Sequence, residues 1–389
     1  MMNSLKVIIF LLFLNLVVSI EDQVDMSKPP KRRFLRIHPE TVTQPENPFY
    51  LFKRSRCYKY QSKSRYYSDV NQNLPSTEWD YTKFKYQINN ETQYTFHGSI
   101  GRGRYSNVYR GQHPETKKWV AIKVLKPNDK DKINREIQVL QKLKDGPSII
   151  KLLDIIPNTK DLFSNEPSLV FELLGSENIR YLANDFTDVQ LTLFTYRLLE
   201  ALEYSHSHGI IHRDLKLKNI VMNAEDKEVR LIDWGLGEFY FPGREYNVKV
   251  GTRPYKGPEL LAGIRDYNYS LDIWMLGCVF GELLFSVRNL FYGKNDRQQL
   301  RAIVKQLGTD ELYKYLEKYH VEFSQHFRNL LGYHKKQDWK HLIKPNNKHR
   351  VNDEALDLLS KFLAYDHLKR ISAKEALQHP YFDKVRNLS

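Results

Sequence analysis

Cysteine is almost missing from this chain of 389 residues, which has only Cys57 and Cys278. That excludes a disulfide scaffold as its source of stability, and no cluster of cysteine and histidine has the spacing of a metal site. Cys278 lies in the apolar run Ile273–Phe280, as a buried thiol does. Cys57 stands far away in a basic segment, and no bridge between the two is expected. Apolar length is short as well. The N-terminal run Val7–Ile20 covers fourteen residues, including Asn15, against the roughly twenty that cross a bilayer. A stable membrane span is therefore not expected. No internal repeat is visible, which sets repeat architectures aside. Acidic residues are scarce between Met26 and Arg65, where Glu40 and Glu46 are the only two.

What is present divides the chain. Lys6, the Val7–Ile20 run and the polar boundary at Glu21-Asp22 read as a secretory signal peptide over 1–19, with Val17 and Ser19 at the cleavage positions. Entry into the secretory pathway follows as an expectation. Asn90-Glu91-Thr92, Asn268-Tyr269-Ser270 and Asn387-Leu388-Ser389 are matching acceptor patterns for N-glycosylation. Residues 20–93 form a basic extension, and 20–64 are polar, Pro-rich and expected to be loosely ordered. A compact domain is expected over 94–382, followed by a short tail over 383–389. The net charge of +14 admits two explanations, nucleic acid or an acidic peptide in a basic cleft. No recognised nucleic-acid module supports the first, and no nucleic-acid partner is expected.

The domain carries an ordered set of chemical groups. Gly101-Arg102-Gly103-Arg104-Tyr105-Ser106-Asn107-Val108 follows a short apolar lead-in, as a turn over phosphates does, because glycine lets backbone approach phosphate oxygens. Val120-Ala121-Ile122-Lys123 places a lysine on an apolar strand, where its charge needs a partner. Glu136, opening a helical pattern, can supply it. Val189 to Ser207 reads as a long amphipathic helix. Then come His212-Arg213-Asp214-Leu215-Lys216-Leu217-Lys218-Asn219 and Leu231-Ile232-Asp233-Trp234-Gly235. Each has a strand-like apolar run beside it, which puts the polar groups on loops at strand ends. Protein kinases carry these residue types in this order for phosphoryl transfer. The expected fold is α+β and bilobal, with a strand-rich N-lobe and a mostly helical C-lobe.

From about Arg65 to Phe382 the chain resembles the catalytic alpha subunit of casein kinase II. The resemblance rests on Asp233-Trp234-Gly235, Gly257-Pro258-Glu259-Leu260, Glu238-Phe239-Tyr240, Glu245-Tyr246-Asn247-Val248, Ala364-Tyr365-Asp366-His367 and His379-Pro380-Tyr381-Phe382. It implies a constitutively active Ser/Thr kinase for acidic proteins, using ATP, with GTP as an alternative donor, and Mg²⁺. Asp214 would take the hydroxyl proton and Lys216 would steady the phosphoryl group. Lys123, held by Glu136, would grip the nucleotide, and Asn219 and Asp233 would hold metal. Gly101, Arg102, Gly103, Val108, Ala121, Phe171, Glu172, Leu174, Ile232 and either Val221 or Met222 would line the ATP site. Lys132, Arg135, Lys249, Arg253 and Lys256 would read acidic substrates. Glu259 would pair with Arg370, and Asp272 would brace the loop around Asp214. Retention of Lys123, Asp214 and Asp233 argues against a non-catalytic, kinase-shaped binding module.

Departures bear on substrate and partner. Asp129 and Asp131 fall where the family has lysines, which weakens the acidic preference. Leu217 replaces the usual proline. The Ile156–Pro167 loop is longer than its counterpart, in the lobe where the family docks a regulatory beta subunit, and leaves that partnership in doubt. The signal peptide has no counterpart in the family's cytosolic members, whose cytoplasm or nucleus is the alternative location.

Overall fold

The computed structural model describes residues 52–54, 62–160, 165–175, 179, 185–223 and 228–386. The proposed signal peptide, Cys57 and the Asn387 acceptor pattern lie outside them. The first strand, β1 (Phe52–Arg54), pairs antiparallel with a strand far along the chain, Val321–Phe323. Sequence reading put residues 52–54 in a loosely ordered tail. Backbone pairing to a strand edge leaves no mark in side-chain periodicity, which is why this strand went unseen.

The small lobe is a five-stranded antiparallel sheet in the order β2 (Thr95–Arg102), β3 (Ser106–Gln112), β4 (Trp119–Leu125), β6 (Ser168–Glu172), β5 (Leu152–Ile156). The period-2 pattern of β4 splits its residues between two faces. Val120, Ile122 and Val124 pack with Ile156 and Val170 on one face, edged by Phe96 and Tyr109. Ala121 and Lys123 are left for the other. Helix α1 (Lys130–Lys142) starts six residues ahead of Glu136, because Asp129 caps it and accepts from the Asp131 backbone N–H at 3.1 Å.

The large lobe is mostly helical. Helix α2 (Asp188–Ser207) opens with a capping box of Thr187 and Gln190 and buries Leu191, Phe194, Leu198 and Leu202, with Tyr204 half-buried. Two short antiparallel pairs follow, β8 (Ile220–Met222) with β9 (Val229–Leu231), and β7 (Ile210–Ile211) with β10 (Glu238–Phe239). Beyond the short α3 (Pro258–Leu261), helix α4 (Ser270–Leu284) is buried along its whole length and forms the centre of the lobe. Cys278 lies on it, buried and free, and burial pushes its thiol well above the ordinary value. Glu259 and Arg370 meet in the interior at 2.8 Å with no exposure on either side chain.

Residues 62–81 tie the lobes together. Ser62 Oγ bonds His367 at 2.7 Å, and Arg65 reaches Glu375 at 2.6 Å. Asn71 Nδ2 donates to the carbonyls of Gly209 (2.6 Å) and Tyr240 (3.1 Å). Gly209 stands at φ +75°, and a Cβ there would come within 2.4 Å of the Asn71 amide, so glycine serves both the turn and the close approach. Trp79 sets its edge against Phe241, ring centroids 4.9 Å apart. Farther along, the carbonyls of Thr77 and Tyr81 accept from Gln138 and Asn134 on α1, at 3.1 and 3.0 Å. Asn71→Ala removes two buried hydrogen bonds worth about 0.5–1.5 kcal/mol each. Urea unfolding should show a loss of about 1–3 kcal/mol; an unchanged midpoint would mean that these two bonds add nothing to folding.

Candidate active site

The sheet and α1 build the upper wall of a cleft. After Gly101 the chain doubles back through a turn closed by Gly103 N–H donating to the Ser106 carbonyl at 2.8 Å, and Lys126 Nζ caps the Gly103 carbonyl at 2.7 Å. Lys123 points from β4 into this cleft, its side chain 13% exposed, and donates to Glu136 Oε1 (2.6 Å) and Asp233 Oδ1 (3.0 Å). Burial works against its ammonium, but the two carboxylates outweigh burial and hold its pKa above the ordinary lysine value. Lys123 in turn holds Asp233 below the usual carboxylate range, against burial.

The lower wall is fixed from beneath by Asp272 on α4. Its carboxylate accepts from the backbone N–H groups of His212 and Arg213, both at 2.8 Å, and lies 3.0 Å from His206 Nε2. Burial pushes Asp272 up, yet its hydrogen bonds with His206 and the Arg213 backbone N–H bring it below its ordinary value. Arg213 sits at φ +68°, a conformation costing about 1–3 kcal/mol for a residue with a side chain. Its guanidinium is anchored on the Leu236 carbonyl (2.7 Å) and Glu238 (3.3 Å), which holds the turn. Asp214 is thereby placed at the cleft floor. Lys216 Nζ approaches its Oδ2 at 2.5 Å and Thr252 Oγ1 donates to its Oδ1 at 2.8 Å. Lys216 also donates to Thr252 at 2.9 Å.

Between the walls lies a cavity of about 450 Å³ lined by Gly101, Arg102, Gly103, Val108, Ala121, Lys123, Glu136, Phe171, Glu172, Leu174, Asn219, Ile232 and Asp233. Val221 faces it, while Met222 is buried in the core. Ile100, Leu140, Ile150 and Trp234 also line it. Sequence reading passed over these four, since an apolar residue in a cleft wall looks like any core residue; Leu140 alone gave a signal, one helical turn beyond Glu136. The Glu172 carboxylate is turned aside, accepting from the Lys151 N–H and Arg230 Nε, both at 3.0 Å.

A site of this kind has to be tested for a divalent cation, and the donors fit one. Asn219 gives its amide N–H to the Asp214 carbonyl (2.9 Å) and Oδ2 (3.2 Å), which turns its oxygen into the ligating atom. Asp233 supplies an ionised carboxylate. The β8–β9 pairing, with Ile232 N–H on the Asn219 carbonyl at 2.8 Å, keeps the two neighbours. Oxygen donors without sulfur or imidazole suit Mg²⁺. The family model described as protein kinase domain matches residues 94–382. The chain belongs to the protein kinase family. It transfers phosphate to protein, with ATP and Mg²⁺ as the family's donor and metal.

The substrate-facing cations of the kinase are not all where sequence reading put them. Arg135 is corrected: its side chain is 12% exposed and turns inward to Glu238 at 3.0 Å, with its guanidinium over the Tyr81 ring. A carboxylate buried behind α1 draws it away from solvent. Lys132 is exposed and 3.9 Å from Asp129. Arg253 and Lys256 follow Thr252, and both reach Asp296. Lys249 is exposed, and no ion pair of its side chain occurs among the described residues.

Lys123→Met should cut phosphoryl transfer by about 10²–10³-fold. It should also free Asp233. With the depressing charge gone, the Asp233 pKa rises, so Mg²⁺-dependent nucleotide binding should fail at a higher pH than in the wild type. A calorimetric pH series of Mg²⁺–ADP binding whose acid limb does not move would contradict this electrostatic account.

Proposed function

We propose that this kinase acts on Ser and Thr in acidic proteins, in the manner of casein kinase II, and is active without prior phosphorylation. The observation that carries this reading is the Asp214–Lys216–Thr252 constellation, set within the motifs of the resemblance. Asp214 accepts the proton of the substrate hydroxyl as its oxygen bonds to the γ-phosphorus; the bond from that phosphorus to the β–γ bridging oxygen breaks, and ADP leaves. Lys216 and Lys123 stabilise negative charge on the transferring and retained phosphates. Mg²⁺, held by Asn219 and Asp233, supplies charge neutralisation on the phosphate oxygens when bound. Gly101–Gly103 cover the phosphates, and backbone groups at Glu172 and Leu174 meet the adenine.

Constitutive activity rests on the N-terminal arm. Thr252 is the only Ser or Thr between Asp233 and Glu259, and its hydroxyl already donates to Asp214. The stretch 62–81 grips α1 and the Gly209 turn instead of a phosphate doing so. The acidic preference rests on Lys249, Arg253, Lys256 and Lys132, and is moderate because Asp129 and Asp131 stand beside the last. GTP is an alternative donor by resemblance. A beta subunit is not required in this reading: Lys160, from the long loop, lies over the rings of Phe96 (4.9 Å) and Tyr109 (5.7 Å) on the outer face of the sheet.

Purified protein should phosphorylate acidic Ser peptides equally before and after phosphatase treatment, with labelled ATP and, in a parallel arm, GTP. Asp214→Asn should lower kcat by orders of magnitude with little change in nucleotide affinity, since it removes the proton acceptor and leaves the cavity intact. ATP binding without transfer to any Ser or Thr peptide would defeat the proposal.

Location is proposed to be the secretory pathway. Among the described acceptor patterns, Asn90 is exposed, whereas Asn268 is buried and donates to Ser62 Oγ at 3.3 Å. A glycosidase-sensitive mass shift lost in Asn90→Gln is the expected result. Cytosolic or nuclear fractionation with an unprocessed N-terminus would favour the alternative.

A further inference from the structure

We propose that Asp296 is a specificity-determining residue: it occupies, from within the chain, the cation pair that a substrate acid would use. The inference rests on the reading above that acidic peptides are the substrates. Asp296 Oδ1 lies 3.4 Å from Arg253 Nε, and its Oδ2 lies 3.0 Å from Lys256 Nζ, so one carboxylate spans both cations. Those cations are one and four residues beyond Thr252, whose hydroxyl is 2.8 Å from the Asp214 carboxylate. A peptide hydroxyl presented to Asp214 therefore brings its neighbouring side chains towards Arg253 and Lys256.

A plainer account exists. Asp296 is the first residue of helix α5 (Asp296–Leu307), behind the N-cap Asn295, where a negative charge suits the helix dipole. That explains an acid at this position but not the direction of its side chain, which leaves its own helix to bridge two cations of another segment. Lys256 has a side chain only 12% exposed, and its Nζ faces Asp296. Arg253 is further held by the Lys294 carbonyl, 3.0 Å from its Nη1. That second contact does not involve the Asp296 side chain, so it keeps Arg253 in place when Asp296 is displaced.

Asp296 itself is 49% exposed, and an incoming carboxylate can displace it. The exchange swaps one singly charged carboxylate for another, so a substrate acid gains little from the contact. An acid next to the target is accepted without being strongly favoured. A neutral residue is not penalised, because Asp296 returns to the cations.

The test measures kcat/KM of the full chain and of Asp296→Asn and Asp296→Glu on a neutral Ser peptide and on peptides with one Asp at each flanking position. At the position facing the pair, the ratio of acidic to neutral peptide should rise about fivefold in Asp296→Asn, what an exposed ion pair is worth. The change should fall in KM rather than kcat and shrink at high salt, and Asp296→Glu should keep the wild-type ratio. Anisotropy of a labelled acidic peptide with the Ser replaced by Ala reads the same effect without catalysis, as a Kd about fivefold lower in Asp296→Asn. Equal ratios and equal Kd at every position overturn the inference and leave the kinase reading standing. Tighter binding by Asp296→Asn with no Ser phosphorylation by the wild type overturns the Ser/Thr reading and leaves the role of Asp296 standing.

Discussion

A buried ammonium needs an anion, and Lys123 has two. That requirement couples three parts of the chain that sequence keeps apart: β4, which carries the lysine; α1, which carries Glu136; and the turn at Asp233. Glu136 is the buried partner, 9% exposed against 47% for Asp233, and the loss of one partner of a buried pair costs about 3–5 kcal/mol. The helix cannot swing outward without a cost of that kind. The cavity keeps its shape because its walls are electrostatically bound to one side chain.

One pair does not fix a helix in rotation, and part of the remaining restraint comes from outside the domain. Residues 77 and 81 offer carbonyls to Gln138 and Asn134, and Arg135 extends from the same helix to Glu238 and the Tyr81 ring. Glu238 also receives Arg213, whose backbone N–H is held by Asp272. Helix α1 and the loop bearing Asp214 thus meet at Glu238, a 5% exposed carboxylate whose Oε2 accepts from both guanidiniums, and the arm joins them through the Tyr81 ring against Arg135. Movement of any one of them unpairs a charge on another. This is a mechanical reason for a site held in one arrangement without an added phosphate.

The polar chemistry was legible in the sequence because its setting was. Asp214 and Asp233 follow strand-like apolar runs, and Lys123 interrupts one, so each stood out against its neighbours. The cavity gathers the lining residues that the resemblance implied, although spacing alone could not tell them from core. What stayed hidden depends on a second element. Asp129 reads as a charge reversal in a basic run, and only the start of α1 reveals it as a cap. Arg135 looks exposed until Glu238 is found behind it. Asp296 is one acid among many until Arg253 and Lys256 are placed across from it. The β1 strand is found only through its backbone pairing.

The charge distribution shows the same rule at larger scale. Between Met26 and Arg65 there are eleven Lys and Arg against two acids, so nine of the fourteen excess charges belong to that stretch. The cations of the cleft rim are mostly answered: Arg135 by Glu238, Arg253 and Lys256 by Asp296, Lys132 by Asp129 at longer range. Net charge therefore says little about the field a peptide meets at Asp214, since screening confines each contribution to roughly 8–10 Å. The exposed pairs among these, Arg253 with Asp296 and Lys132 with Asp129, exchange partners at small cost. Discrimination in such a site comes from the difference between an internal and an external anion, and that difference is set by which acids the chain places beside its own cations.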